Sequence, residues 1–502
     1  MSEEGNQTEA TGDLAVAVNG LHNKQARITT LWDYYRGRHQ LKWSLAKLQE
    51  VFQNQQVSFV QNWVYVVIAS VLERIELVRF DTDKEASTQL LEDMFTDLDG
   101  QLEAEAVHEE VLVAGEAFLV AGRDPDGNIE LYHNDAKNML AVYDVERPRQ
   151  MNFAAKWWAG TGDTIRLNLY YPDKVMYYIK KGKLSEAGGS TKGWAPYVSP
   201  ETGEGEAVHD FTGIPVFHFR RDKKGIPEAL NILPVQDAVN KLTADMMVCA
   251  EFAAFPQRWI ISNAENDGKV PYGSFSTLEI PAGDGESQGS AAGTFPAADL
   301  GNFLKAIESN AHAIAIISRT PKHYFLAQGG APSGEALLAM EAPLVKKVGK
   351  VISNMLPTWK AVAMFLLEDD NITITPVYTN PATVLPVTES GNRKTDVEAG
   401  IPLVTSLRMA GWTQAQLAAM AEDAGAVDDT GEGDNTKVTS PKEGQGLAEQ
   451  AAGQEAAIAT QAIAIKDALA QALEAITVEK VDQIVKSGAL DRLKGPKKDD
   501  SK

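Results

Sequence analysis

The residue types able to carry chemistry are present in this chain, but none stands in a working pattern. Gly285-Glu286-Ser287-Gln288-Gly289 spells G-x-S-x-G, the spacing of a nucleophilic serine on a strand-to-helix elbow. Such an elbow needs a strand directly before the serine and a helix directly after it. Here the flanks are Gly, Ser and Ala of a long loop, so the spacing reads as chance. Ser44-Leu45-Ala46-Lys47 matches S-x-x-K without the S-D-N and K-T-G partners that would make it an acylation site. Asp124-Pro125-Asp126-Gly127-Asn128 lacks the spaced fifth ligand and distal Glu of a calcium loop and reads as a hairpin turn. His108-Glu109-Glu110 lacks the second His of a zinc protease, and the eight His residues show no metal-ligand spacing. The carboxylate runs Glu103–Glu110 and Glu368–Asp370 read as solvated faces rather than acid/base pairs. There is no G-x-x-x-x-G-K-[ST], hence no phosphate-cradling ATPase loop. No catalytic residue, metal or cofactor is expected.

The whole-chain balance narrows the classes further. The 502 residues carry 69 Asp and Glu against 47 Lys and Arg, a net charge of −22. That charge argues against coating nucleic acid through overall attraction, while leaving room for local basic contacts. Hydrophobic residues at 44% suffice for a sizeable core. The single cysteine, Cys249, excludes a disulfide framework within one chain and fits a reducing compartment. The longest apolar runs, Trp63–Ala69 and Ala361–Leu367, are far short of the ~20 residues that span a bilayer. The acidic start MSEEGNQTEATGD is no signal peptide.

The elements that would position any site follow from periodicity. Residues 1–23 are polar and read as loose. A helical pattern runs from about 24 to 76, and Asp81–Gly115 reads as further helix. Then the period changes to two. Ala117–Ala121 and Ile129–Tyr132 predict a hairpin, and strands follow at Leu140–Tyr143, Asn152–Trp158, Thr164–Tyr171, Val175–Lys180 and Pro215–Arg220, with a Gly/Ser-rich loop over 182–205. Two long helices come next. Val235–Phe255 carries Val235, Ala238, Val239, Leu242, Met246, Cys249 and Phe252 on one stripe, and Ala298–Arg319 carries Leu300, Phe303, Leu304, Ile307, Ala311 and Ile314. Between them lie strand-like Arg258–Ile261 and Thr277–Ile280 and a Gly/Ser-rich loop over 283–293. The simplest geometry is a helical hairpin with a small α/β module at its tip. Arg319 to Ser333 is loop, with Ser333 placed to cap a long helix over 334–367 in which Pro343 and Pro357 should introduce kinks. Ile372–Tyr378 predicts a strand and 402–425 a helix. Residues 428–446 form an acidic linker, and 448–493 an Ala/Gln-rich helical segment.

Several short stretches, in this order, resemble the portal proteins of tailed bacteriophages, the siphophage head-to-tail connector family. They are Trp32-Asp33-Tyr34-Tyr35-Arg36-Gly37, Asn62-Trp63-Val64, Gly225-Ile226-Pro227-Glu228 and Pro256-Gln257-Arg258. The strongest runs from Ser318-Arg319-Thr320-Pro321 through Ser333-Gly334-Glu335-Ala336-Leu337 to Glu341-Ala342-Pro343-Leu344. The resemblance covers about 25–425. It implies an α+β portal-type fold with an α/β wing, two-helix stem, small α/β clip and helical crown, in a subunit that forms a ring, usually of twelve. On this chain it implies a flexible N-terminus at 1–24, a wing at 25–234 and 335–397, stem helices at 235–255 and 297–319, a clip at 256–296, a tunnel loop at 320–334 and a crown at 398–430. Residues 431–502 remain as linker and tail.

The same resemblance implies a virion component at one capsid vertex, present in host cytoplasm during assembly. It would be the channel for genome packaging and ejection. Its partners would be further copies of itself, double-stranded DNA, the terminase large subunit, the head-completion adaptor, and the major capsid and scaffold proteins, with no membrane. The DNA-contacting residues it implies are Arg319, Lys322, His323, Gln328, Gly329 and Gly330, while Tyr324 and Phe325 are expected to pack the loop base. The alternatives are a soluble cytoplasmic hydrolase-like enzyme, using Ser287 or a site assembled from dispersed Asp and His, and another minor capsid component.

Overall fold

The structure is a computed structural model describing residues 2–39, 60–124, 126–198, 203, 205–254, 258–262, 277–281, 291–294, 299–326, 334–369, 371–382, 386–409, 412, 417 and 420. These fall in one compact unit, Met1–Ala421. A second unit, Glu422–Lys502, lies outside the described residues, as do the linker and Ala-rich segment expected there and most of 402–425.

The first helix corrects the sequence reading. Instead of a loose start, α1 spans Ser2–Tyr35. Leu14, Ala17, Val18 and Leu21 recur at three- and four-residue spacing and are buried against Phe153, Trp157, Ile165, Leu167 and Tyr178 of a sheet. Polar composition hid the helix, because its stabilising face is supplied by strands more than a hundred residues away. Further along, Ile28 enters a second core, and Leu31, Tyr34 and Tyr35 enter a third. One helix thus runs through all three cores.

The remaining elements follow in order. They are α2 (Trp63–Leu72), β1 (Leu77–Thr82), α3 (Glu85–Asp97) and α4 (Gly100–Ala114), then β2 (Glu116–Arg123), β3 (Ile129–Asn134), β4 (Met139–Tyr143), β5 (Met151–Ala159), β6 (Thr164–Tyr170) and β7 (Lys174–Lys181). Next come β8 (Ala195–Pro196), β9 (Glu206–Val208), β10 (Val216–Arg220), α5 (Leu233–Ala254), β11 (Arg258–Ser262), β12 (Thr277–Pro281), β13 (Ala291–Thr294) and α6 (Leu300–Ser318). The described elements end with α7 (Gly334–Leu367), β14 (Ile374–Tyr378), α8 (Pro386–Glu398) and α9 (Leu403–Met409). The fold is mixed α+β.

The expected hairpin forms, as β2 pairs antiparallel with β3, and β10 joins its other edge. Along β2 the side chains alternate between two cores. Ala117, Leu119 and Ala121 enter the helical core, while Phe118 and Val120 enter the core shared with α1. Strands β4 to β8 form a meander to which β9 adds by pairing with β7. Four strands were missed, among them the short β8 inside the expected 182–205 loop and β9 just after it. β1 lies between the two stretches read as helix and overlaps the start of the second, and it pairs with β14, a partner far along the chain. β13 occupies part of the expected 283–293 loop and pairs antiparallel with β11, while β12 runs parallel to β11. The helix read over 81–115 is also two helices, separated at Asp99, whose φ of 51° breaks the run.

The long helix α7 has 34 residues and continues as one element through Pro343 and Pro357. Both prolines and the residues four before them, Ala339 and Ser353, are exposed, so the carbonyls left without a partner face water. Its inner face buries Leu344, Val348, Val351, Met355, Trp359, Val362 and Leu366. Trp359 is fully buried, with its ring 4.8 Å from that of Phe219, 6.2 Å from Phe95 and 6.3 Å from Phe80. Its indole Nε1 donates to His108 Nε2 at 3.3 Å. The hydroxyl of Tyr378 lies 3.3 Å from the same nitrogen. Burial drives the His108 pKa down to about 3, keeping the ring neutral and its Nε2 free to accept.

Two expected outcomes follow from this core. Trp359→Ala leaves a large hole among Phe80, Phe95 and Phe219 and should cost about 3–5 kcal/mol, read as a lower denaturation midpoint, with Trp359→Phe costing less. The second concerns pH. Because His108 is depressed in the folded state, its stabilising effect is complete above its unfolded value near 6.5 and declines as pH falls toward about 3. Thermal melting across that window should slope downward in the native chain and more weakly in His108→Gln, and parallel slopes would refute it.

Candidate nucleic-acid interface

The candidate loop begins where α6 stops. Ser318 Oγ donates back to the Ile314 carbonyl at 2.7 Å, and Arg319 follows in the left-handed region at φ 55°. That turn lets Thr320 N reach the Ala315 carbonyl at 3.1 Å, closing the helix end. Lys347 of α7 caps the same end, donating from Nζ to the Ser318 carbonyl at 2.7 Å. A cation there is favoured by the negative end of the helix dipole. Lys347 is also 2.9 Å from Glu228, which in turn holds Arg221 at 3.2 Å. Burial lowers the Lys347 pKa, and the Glu228 charge opposes that fall.

The loop base is tied down by a second set of contacts. Thr320 is buried at 3% exposure, and a 3-10 turn runs from Lys322 to Tyr324. Arg74 Nη2 donates to the Tyr324 hydroxyl at 2.9 Å, and that hydroxyl donates to Glu341 Oε1 at 3.2 Å. Arg74 also pairs with Glu341 Oε2 at 3.3 Å and donates to the Pro381 carbonyl at 3.0 Å. Phe325 sits edge-on to Trp63, 6.0 Å between centroids. Tyr324 and Phe325 therefore pack the base of the loop, as their aromatic types suggested. Sequence reasoning missed Arg74, Glu341 and Lys347 as anchors, because nothing local pairs residues this far apart.

Of the six residues singled out, three are described. Arg319 and Lys322 are exposed, and neither makes an ion pair among the described residues. His323 is half-buried beside the Tyr324 ring at 4.7 Å, and its Nδ1 has no hydrogen-bond partner. Gln328, Gly329 and Gly330 lie outside the described residues, as do Ser287 and Ser44. The arrangement can offer phosphate oxygens two unpaired cations on a fixed base. It offers no nucleophile–base pair.

The carboxylates and histidines outside the loop have structural uses. Glu110 lies 2.7 Å from His133 and accepts from Ala136 N at 2.9 Å. Asp124 closes its hairpin by accepting from Asn128 N at 2.8 Å. Glu116 accepts from Lys24 at 3.0 Å and lies 3.0 Å from His218 Nε2. Burial alone would raise the Glu116 pKa, but the His218 contact and the Lys24 charge hold it at about 2. Among the described residues no group of three or more His, Cys, Asp or Glu could hold a metal ion, and no helix is long and apolar enough to cross a membrane.

A family model described as "Phage portal protein, SPP1 Gp6-like" matches residues 18–391, most of the chain. The chain belongs to that family of phage portal proteins. Portal proteins are structural components of the virion that join head to tail, and the hydrolase alternative loses its footing here. No match is found among curated proteins. Solved structures with a distant likeness to this portal chain include "Neck of native GTA particle computed with C12 symmetry", at 14% identity and TM-score 0.39, covering 71% of this chain and 89% of that one. "Neck of empty GTA particle computed with C6 symmetry" stands at 13% identity and TM-score 0.36, covering 72% and 95%. "Virion of native gene transfer agent (GTA) particle" stands at 13% and 0.33, covering 70% and 88%. At these TM-scores the family match alone decides.

The anchors give an expected outcome. Arg74→Ala strands Glu341 and Tyr324 without their shared cation and should lower the melting temperature of the portal chain, by an amount matching about 1–3 kcal/mol. It should also speed amide exchange over 320–326 relative to β2 and β3. Unchanged exchange there would remove Arg74 as the loop's anchor.

Proposed function

We propose that the chain closes into a ring, usually of twelve copies, at one capsid vertex, and that 320–334 is the tunnel loop meeting duplex DNA in its bore. One observation carries this reading. Two unpaired cations, Arg319 and Lys322, sit on a base fixed by Arg74, Tyr324, Glu341 and Lys347, in a chain of net charge −22. An acidic wall repels phosphates within the ~8 Å Debye length of physiological salt, so a genome slides without sticking. Local cations at a constriction then set where it is touched. Duplex DNA hides its base faces, so the contacts are to phosphates.

The packed pair α5 and α6 serves as the stem (235–255 and 297–319), and the β11–β13 sheet joining them belongs to the clip (256–296). The clip is the docking place for the terminase large subunit and later for the head-completion adaptor. The wing comprises 25–234 and 335–397 and faces the major capsid and scaffold proteins. The crown (398–430) lies on the capsid side, followed by the tail (431–502). Assembly takes place in host cytoplasm, and the finished ring resides in the virion. Of the implied contacts, Gln328, Gly329 and Gly330 share the loop with Arg319, Lys322 and His323.

Negative-stain microscopy of the purified chain should show rings with a central hole, and a compact monomer or dimer would refute the ring. Lys322→Ala with His323→Ala should leave folding and rings intact, since the exposed Lys322 change costs under about 0.5 kcal/mol and the half-buried His323 ring contacts only the loop base. The pair should lower packaged DNA per particle, because a small loss recurs in every copy. DNA content equal to that of a wing control would remove the loop from the mechanism.

A further inference from the structure

From Ala342 to Leu367 the exposed face of α7 is basic and free of acid. Lys346, Lys350 and Lys360 are all exposed, and none makes an ion pair among the described residues. At about 100° per residue the three fall within an arc of roughly 80°. Over that stretch the same face carries Ala342, Pro343, Ser353 and Pro357 and no Asp or Glu, Glu335 being the one acid at this angle, in the first turn, in a chain of net charge −22. By contrast Lys347, one residue off this face, is paired with Glu228 at 2.9 Å.

An acidic counterpart stands on α3. Asp93 and Asp97 are exposed and one helical turn apart, and neither forms an ion pair among the described residues. Leu90 lies on the same face and is 51% exposed. The spacing of Asp93 and Asp97 along the axis is ~6 Å, equal to that of Lys346 and Lys350.

One internal contact orients both faces. Phe95 of α3 packs edge-on against Trp359 of α7 at 6.2 Å. Asp93 and Asp97 lie roughly 160° around α3 from Phe95, and Lys346 and Lys350 roughly 140° and 180° around α7 from Trp359. The acid row and the lysine row therefore leave the packed pair on opposite outer sides. They cannot meet within one chain, but they can meet between copies. A closed ring needs such a pair of unlike, complementary faces on each subunit.

We propose that the lysine face of α7 on one copy docks on the Asp93/Asp97 face of α3 on the next. This rests on the ring reading above and names the surfaces that close it. Leu90 and Leu338, the latter 41% exposed at the edge of the lysine face, become covered in the contact.

A charge-swap series on the full chain tests the pairing, read by light scattering after size exclusion and by negative stain. Lys346→Glu with Lys350→Glu should raise the concentration for half-assembly by about tenfold or more, and so should Asp93→Lys with Asp97→Lys. All four changes together should return it to within about threefold of the native value, since opposite rows again face each other. Melting temperatures of the unassembled variants should stay near native. Rings that assemble normally in either double variant would overturn the pairing, and a loss of packaged DNA from such rings would assign the lysines to the duplex instead. Loss in both double variants without recovery in the fourfold one would overturn it as well. A native chain that forms no ring at all would overturn the ring reading itself, a failure distinct from rings indifferent to the swap.

Discussion

The buried face of α7 is the constraint on which the rest depends. Leu344, Val348, Val351, Met355, Trp359, Val362 and Leu366 make a continuous apolar row, and fully burying one such side chain is worth about 1.5–3 kcal/mol. Against that row pack strands β10 and β14 and helix α3. Because α7 begins at the far end of the candidate loop, the core sets the loop's exit as firmly as α6 sets its entry. Lys347, on the flank of the row, joins the two by holding the Ser318 carbonyl.

The polar contacts follow a pattern that suits a protein working as a scaffold. Buried charges are paired and committed: Lys24 with Glu116, Glu110 with His133, Lys347 with Glu228. Lone buried charges would be costly, and pairing fixes the register of the elements that carry them. The candidate chemistry is therefore spent on holding α1, β2, β3 and β10 together. Among the exposed cations that form no ion pair in the described residues are Arg319, Lys322, Lys346, Lys350 and Lys360, on α7 and the loop that leads to it. A long acidic chain with local clusters of positive charge can repel phosphate generally and attract acidic surfaces locally.

Much was legible in the residues themselves. Periods of two and of 3.6 depend only on backbone geometry, so the β2–β3 hairpin, strands β4 to β7, the paired helices α5 and α6 and the long α7 could all be read from local pattern. So could the cationic and aromatic types of Arg319, Lys322, Tyr324 and Phe325, whose division into exposed and packed follows from their solvation.

What the sequence could not decide was every feature whose partner lies far along the chain. The helical start of α1 looked loose because its apolar face is completed by β5, β6 and β7. β1 went unread because β14 supplies its ladder, and β13 looked like loop because β11 supplies its. Arg74 gave no local sign that it would clasp Tyr324 and Glu341. Local spacing fixes which way side chains point along one element. Only tertiary packing fixes which elements face one another, because that depends on burying faces that no single segment can bury alone.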